Sequence, residues 1–249
     1  MLRSRLTLLS LLPVLLLVLV LAGCRQEPQA LPVDTTRLHT YFAKYAGQLP
    51  EHGTIEVGVM PEDTGGWRVS NQVELPDASI LSVVQTDAVF LPLSTQVDIA
   101  GGGQNAQVTT TYGEGKLIIQ AETPQGPQEL ERELPAAYYD NEQIPASVAA
   151  LDLAPGEEYP FVIVSTTSGL VINASFRLET DKSGKTVTEA ISTPLGDFQC
   201  RKVILSVKLP GAPNQIFWIS SETPFLTVKY FNGSVEYLLQ ELAVPNKAR

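Results

Sequence analysis

The chain has 249 residues, 44% of them hydrophobic and 7% aromatic, with 17 basic against 27 acidic residues and a formal net charge of −10. That length holds one large β domain or two small ones, with a core that needs no disulfide staples. The acidic balance and the absence of a Lys/Arg cluster exclude nucleic acid as a partner and leave no polybasic stripe for anionic head groups.

Arg3 and Arg5 precede an apolar run, Leu6 to Leu21, which ends in Leu21-Ala22-Gly23-Cys24. A basic region, an apolar core and small residues before a cleavage point make a secretory signal peptide over residues 1–23. The cysteine after Ala-Gly resembles the lipobox of bacterial lipoproteins. That resemblance implies cleavage before Cys24 and acylation of its thiol. The chain would then sit in the bacterial cell envelope, on the extracytoplasmic face, with its membrane partner reached through Cys24. An uncut signal anchor is the alternative, but about sixteen apolar residues are short for a span of roughly 20. Without residues 1–23 the chain keeps 15 basic and 27 acidic residues, a balance of −12. Arg25, where an Asp would signal retention, points by analogy to the outer membrane in a two-membrane cell, whereas a one-membrane cell would keep the anchor in its plasma membrane; the sequence leaves the choice between them open.

Residues 24–34 read as an extended, mobile tether with Pro28 and Pro32. Asp34, Thr35 or Thr36 offers a cap. Leu38, Tyr41, Phe42, Tyr45, Ala46 and Leu49 follow at helical spacing, which predicts a helix packed on a sheet. From Thr54 to Leu134 the pattern is short strands and turns: Thr54–Met60, Trp67–Glu74, an apolar run Ile80–Leu91 broken by Pro92, then Thr95–Ile99, Ala106–Tyr112 and Lys116–Glu122. Glu129–Leu134 alternates charge with apolar residues, as suits an edge strand. Asp140 can cap a short helix carrying Ile144, Val148 and Leu151, stopped by Pro155-Gly156. A single domain over 35–249 follows, with a possible division near 135–140.

The remainder is a run of antiparallel strands: Tyr159–Ser165, Gly169–Glu179, Thr186–Ser192, Phe198–Val207, Gln215–Ser220, Phe225–Phe231 and Ser234–Leu242. Leu170, Ile172, Ala174, Phe176 and Leu178 share one face of a half-buried strand. Asn232-Gly233 is a strong hairpin turn. Ile216 to Ile219 and Val203 to Leu205 are apolar on both faces, so these strands need cover on both sides. The fold class is mainly β: a curved antiparallel sheet, an open half-barrel or β-sandwich-like, with one or two short helices. The expected layering is a curled sheet inside and a helix or second layer outside, leaving an apolar groove.

Chemistry-bearing motifs are scarce. The two histidines, His39 and His52, are both N-terminal, and the chain holds no Gly-x-Ser-x-Gly, His-Glu-x-x-His or P-loop pattern. No catalytic residue, metal site or cofactor is assigned. Cys200, unpaired if Cys24 carries lipid, reads as a small buried hydrophobe.

The segment Thr193-Pro194-Leu195-Gly196-Asp197-Phe198-Gln199-Cys200, then Phe217-Trp218-Ile219-Ser220, then Thr223-Pro224-Phe225 through Tyr230 and the Asn-Gly hairpin resemble a bacterial envelope family of unknown function. That family is in turn similar to the half-barrel LolA/LolB-type lipoprotein carriers, with a lipocalin-like curl. The resemblance covers roughly residues 137–243 and implies fold rather than activity. The leading expectation is a non-enzymatic envelope protein that carries a lipid or other apolar ligand in its groove, with Trp218, Phe225 and Tyr230 as candidate lining. The alternative is a scaffolding module that binds an envelope protein through a sheet edge or groove rim. A hydrolase built on His39 or His52 is a distant third.

Overall fold

Runs that alternate apolar and polar residues, separated by Gly, Pro, Asn and Asp turns, give sixteen strands and one short α-helix in the computed structural model, which describes residues 28–102, 105–135 and 137–245. The strands are β1 Tyr41–Gly47, β2 Thr54–Pro61, β3 Trp67–Glu74, β4 Ala78–Thr86, β5 Pro92–Gly101, β6 Ala106–Gly113, β7 Lys116–Thr123, β8 Gly126–Glu133 and β9 Tyr138–Asp140. Helix α1 is Ile144–Ala150. After it come β10 Glu158–Ser165, β11 Leu170–Leu178, β12 Thr188–Thr193, β13 Gly196–Val207, β14 Gln215–Ser220, β15 Thr227–Phe231 and β16 Glu236–Ala243. The signal peptide and Cys24 lie outside the described residues.

The strands form one curved, unclosed sheet in the order β8-β7-β6-β5-β4-β3-β2-β1-β16-β15-β14-β13-β11-β10-β9, with β12 paired to β13. Every pairing is antiparallel except β9 with β10. The chain therefore winds outward from β1 to β8 and returns through β9 to β16, which closes on β1 in the middle of the sheet. The two ends, β8 and β9, approach through side chains. Val97, Val108, Tyr112, Leu117 and Ile119 pack with Val164, and Tyr138, Leu130 and Leu134 lie against them. The Tyr112 and Tyr138 rings stack at 5.5 Å. Gly169, at φ +66°, has no side chain where Leu130 of β8 presses on the β10–β11 turn.

The concave face is floored by a chain of aromatic rings from six strands: Tyr139, Phe161, Phe176, Phe217, Tyr230 and Tyr237, with successive centroids 4.6–6.5 Å apart. Offset and edge-on contacts of this kind add to the area they bury. Helix α1 lies over them. Ile144, Ala146, Val148, Ala149 and Ala150 are all buried, as is Ser147, whose hydroxyl is satisfied by Ile144 O, so the helix is enclosed nearly all round. Its small alanines let the sheet close around it. Thr227 Oγ1 donates to Pro145 O at 3.2 Å. Arg37 and Arg201 both donate to Leu151 O, at 3.1 and 2.9 Å, placing two cations at the negative end of the helix.

Several expectations are corrected. The helix expected over Leu38–Leu49 is a strand. Tyr41, Ala43 and Tyr45 are the buried set, a period of two, and Tyr45 OH reaches Thr227 O at 2.8 Å. Thr35–Arg37, before the strand, make a helical turn of 3₁₀ type, capped by Asp34. His39 therefore lies in the link before β1, and His52 in the 3₁₀ turn Pro50–His52. Pro92 opens β5 rather than breaking a strand, where its missing N–H is tolerated. The apolar run before it ends at Thr86, and Asp87 Oδ1 accepts from the N–H groups of Val89 and Leu91 to fold a turn that buries Phe90. The layers are also exchanged. The helix is inside the curl, and the outer cover of the C-terminal strands is β12.

The proximal part of the expected tether is seated. Gln29 N donates to Pro160 O at 3.0 Å, Leu31 N donates to the Tyr139 hydroxyl at 3.1 Å, and Asp152 N donates to Pro32 O at 2.9 Å. Leu31 is only 5% exposed.

Candidate functional site

The residues expected to line one groove are not brought together. Phe217 pairs across strands with Tyr230, and Trp218 pairs with Lys229. Neighbouring residues of a strand point to opposite faces, so Tyr230 belongs to the concave aromatic floor and Trp218 to the outer face. Tyr230 stacks on Phe217 at 4.6 Å and donates its hydroxyl to Gln215 Oε1 at 2.7 Å. Burial pushes its phenol well up.

Trp218 is 6% exposed under β12. Its Nε1 donates to Glu189 Oε2 at 3.0 Å, and the Lys202 and Lys229 ammonium groups lie 5.6 and 4.5 Å from the ring centre. The Trp218 hydrogen bond holds the Glu189 carboxyl below its ordinary range. The indole is locked by neighbours of its own chain. Phe225 precedes β15 and lies under Arg37, 5.4 Å from guanidinium carbon to ring centre. Cys200, beside this cluster, is buried and free, with its thiol pushed up to about 12 by burial and Glu189.

The apolar space between α1 and the floor is small. The cavity lined by Tyr45, Ile55, Val57, Pro145, Thr227, Tyr230 and Tyr237 measures about 30 Å³, roughly the share of one water molecule. A groove for an acyl chain would run where α1 now sits.

Two features have no counterpart in the sequence reading. The first is a buried polar cluster at the start of α1. Asp140, wholly buried, accepts at Oδ2 from Thr95 Oγ1 at 2.7 Å, from Thr166 Oγ1 at 2.5 Å and from the Tyr112 hydroxyl, and at Oδ1 from Glu142 N at 2.7 Å. These donors come from β5, β6 and the turn after β10, so one carboxylate ties both ends of the open sheet to the helix. Burial raises its pKa, and the Thr166, Tyr112, Glu142 and Thr95 donors oppose that rise. Glu142, also raised by burial, accepts from Ser82 Oγ at 3.0 Å, while Asn71 donates to Glu142 O at 2.6 Å. No histidine or cysteine joins this cluster, and among the described residues no three His, Cys, Asp or Glu side chains converge as metal ligands. Its donors are spent on one acceptor, which suits a structural staple. Asp140 read only as a helix cap because its partners are 26 to 45 residues away.

The second feature is a trough of about 400 Å³ on the outer face of β16, β1, β2, β3 and β4. Phe42, Gly58, Ser70 and Val83 form one cross-strand row. Gly58 makes the dip: a Cβ there would meet Ser70 Oγ at 2.6 Å and the Phe42 ring at 3.1 Å. Phe42 and Leu81 remain 44% and 42% exposed. Lys44 pairs with Glu56 at 3.0 Å, and both Glu56 and Glu241 raise its pKa. Reading Phe42 onto a helix hid this surface.

Comparison with known proteins agrees with the architecture. The model of a family described as "Protein of unknown function (DUF3108)" matches residues 40–240. The chain belongs to that family. The match takes in β1 to β8, which the resemblance over 137–243 had not covered. No curated protein matches the chain. A solved structure, the β-barrel-like protein of domain of unknown function DUF1849 from Brucella abortus, is similar at TM-score 0.57 and 12% identity, covering 84% of this chain and 99% of that one. At that identity the likeness concerns the fold alone. The mainly β, curved architecture of this chain is thus similar to that of a β-barrel-like protein.

Proposed function

We propose that this chain is a lipid-anchored, non-enzymatic envelope module that holds a protein partner in the trough on the outer face of β16 to β4. The observation that carries this reading is the occupied concave side. Helix α1 and the aromatic floor fill the space that a carried lipid would need, while the trough is open and half apolar. Of the two binding modes considered from sequence, the scaffold gains from this and the carrier loses. The occupant that fits is an extended segment of an envelope protein. An apolar side chain over Gly58 would lie between Phe42 and Leu81, and a neighbouring basic one would meet Glu56 and Glu241, which outnumber Lys44 in the trough.

The test places a photo-crosslinking residue at Gln72, in the trough, or at Thr109, on the outer face of β6, in the full chain in cells. The expected result is one envelope protein captured at Gln72, none at Thr109, and loss of capture when Glu56 and Glu241 are both changed to Lys. Native mass spectrometry of the purified protein supplies the opposing outcome. A near-stoichiometric acyl ligand, with no capture at Gln72, would restore the carrier and sink the scaffold.

A further inference from the structure

The seated N-terminal segment bears on how the molecule meets the membrane. Only five residue steps separate Cys24 from Gln29. However that stretch runs, it reaches at most about 18 Å at 3.6 Å per residue. From Gln29 onward the chain is part of the body: it adds to the free edge of β10 at Pro160, buries Leu31 beneath the Tyr139 hydroxyl and follows Leu151 through the Val33 bridge. An eleven-residue tether, ten steps from Cys24 to Asp34, would let the body stand up to about 36 Å from the anchor; five steps keep this edge within about 18 Å.

We infer that the rim around Pro160 is a membrane-facing surface, held against the head groups of the bilayer that carries the Cys24 lipid. This rests on the lipid-anchor reading. The rim is made by Gln29, Glu157, Glu158 and Lys208, with exposed Leu209 next to Lys208. Glu158 pairs with Lys208 at 3.0 Å. Arg177 stands opposite Glu158 across β10 and β11, so two acidic groups face two basic ones. The rim has no net charge to draw anionic lipid, so the short tether sets the distance, and salt leaves it unchanged. The trough follows from the same geometry. Strand β1 lies six strands from β10 along the sheet, about 29 Å at 4.8 Å per strand. A partner in the trough therefore docks on strands remote in the sheet from the anchored rim.

The experiment uses the processed, full-length protein, purified from membranes and reconstituted in vesicles of phosphatidylethanolamine and phosphatidylglycerol containing nitroxide head groups. A fluorophore is placed at Glu157→Cys or Gln72→Cys. Cys200 is buried and Cys24 is consumed by lipid in this reading, so neither competes for label. Quenching at residue 157 should exceed that at residue 72 at least about twofold. It should be indifferent to salt and fall to the residue-72 level when twenty Gly/Ser residues are inserted after Gln26. Equal quenching at both sites, or no effect of the insertion, in protein whose N-terminal peptide carries the diacylglyceryl mass, overturns the orientation while the anchor stands. An N-terminal peptide without that mass overturns the anchor, and the inference falls with it.

Discussion

Strands β5 to β8 and strands β10 to β16 solve the same problem in different ways. In β6 and β7 every second residue is buried and the outer face is wet, so one layer of contacts holds them. In β10 and β14 runs of four residues are buried, Phe161 to Val164 and Phe217 to Ser220, because α1 covers one face and the other is covered by β5 to β7, for β10, or by β12, for β14. The first region is a wing leaning on the molecule, and the second is its body. The wing depends on a few long-range contacts, with Asp140 the most connected polar one. The body is redundantly packed.

Truncating the body's centre should have the largest effect. Phe217 is wholly buried between Phe176 and Tyr230. Phe217→Ala is expected to cost about 3–5 kcal/mol, the usual range for a buried aromatic. Denaturant unfolding followed by fluorescence and by circular dichroism should shift together. A shift under about 1 kcal/mol would mean that the aromatic chain is ornament rather than core.

Next comes the staple. Asp140→Ala strands the Thr95, Tyr112 and Thr166 hydroxyls and the Glu142 N–H. The Tyr112 and Thr166 hydroxyls, 3.4 Å apart, can then pair with each other, which leaves Thr95 and the Glu142 N–H. At about 1–3 kcal/mol for each buried group without a partner, a total of roughly 3 kcal/mol is expected. The loss should be local. Hydrogen exchange should rise in β5 to β7 and stay protected in β13 and β14. A uniform rise across both regions would erase the distinction between wing and body.

The same carboxyl gives the comparison a pH axis. Burial lifts the folded-state pKa of Asp140 above its unfolded value. A carboxyl raised in this way holds its proton more tightly when folded, so its charged form is a cost at neutral pH. The cost is relieved as pH falls through the folded pKa toward the unfolded one. Wild type should therefore gain on Asp140→Asn as pH is lowered from 7 to 4, with urea midpoints as the readout. A wild-type stability relative to Asp140→Asn that stays constant, or falls, toward acid would show that the hydroxyl donors offset or outweigh burial.

What the sequence made legible divides along the same line. The alternation in β6 and β7, the Asn232-Gly233 turn and the Pro-bearing helix are local signals, and each stands near its expected place. In β11 the expected buried face holds only from Ala174 on, since Leu170 is exposed and Ser175, on the other face, is buried. Tyr41, Phe42 and Tyr45 satisfied a helical spacing and a strand spacing equally. Pairing of β1 with β2 and β16 decided between them, and those partners are remote in the chain. Trp218 and Tyr230 each looked suited to a groove, but one strand crossing puts them on opposite faces. The Asp140 cluster and the trough were hidden because their residues converge only through the order of the sheet.

The smallest effect on stability should come from the wing's outermost strand, where the consequence is of another kind. Glu129, Glu131 and Glu133 of β8 point outward, with Glu131 paired to Lys116 at 2.7 Å and Glu129 accepting from Gln120 at 3.1 Å. Exposed pairs of this sort contribute little to folding. Yet β8 ends the sheet, and its outer edge has no strand beside it in the sheet order. An edge of that kind recruits other chains unless charge or proline blunts it, and β8 carries three glutamates and Pro127. Glu129→Thr, Glu131→Val and Glu133→Thr together should leave the unfolding midpoint nearly unchanged while light scattering on concentration rises well above wild type. The same count of neutralised acids at Glu62, Asp63 and Glu222, in exposed turns, is the control for net charge. If both triples associate equally, the acidic surface as a whole keeps the molecule soluble. If only the β8 triple does, the glutamates act as guards of the one strand edge that the wing leaves open.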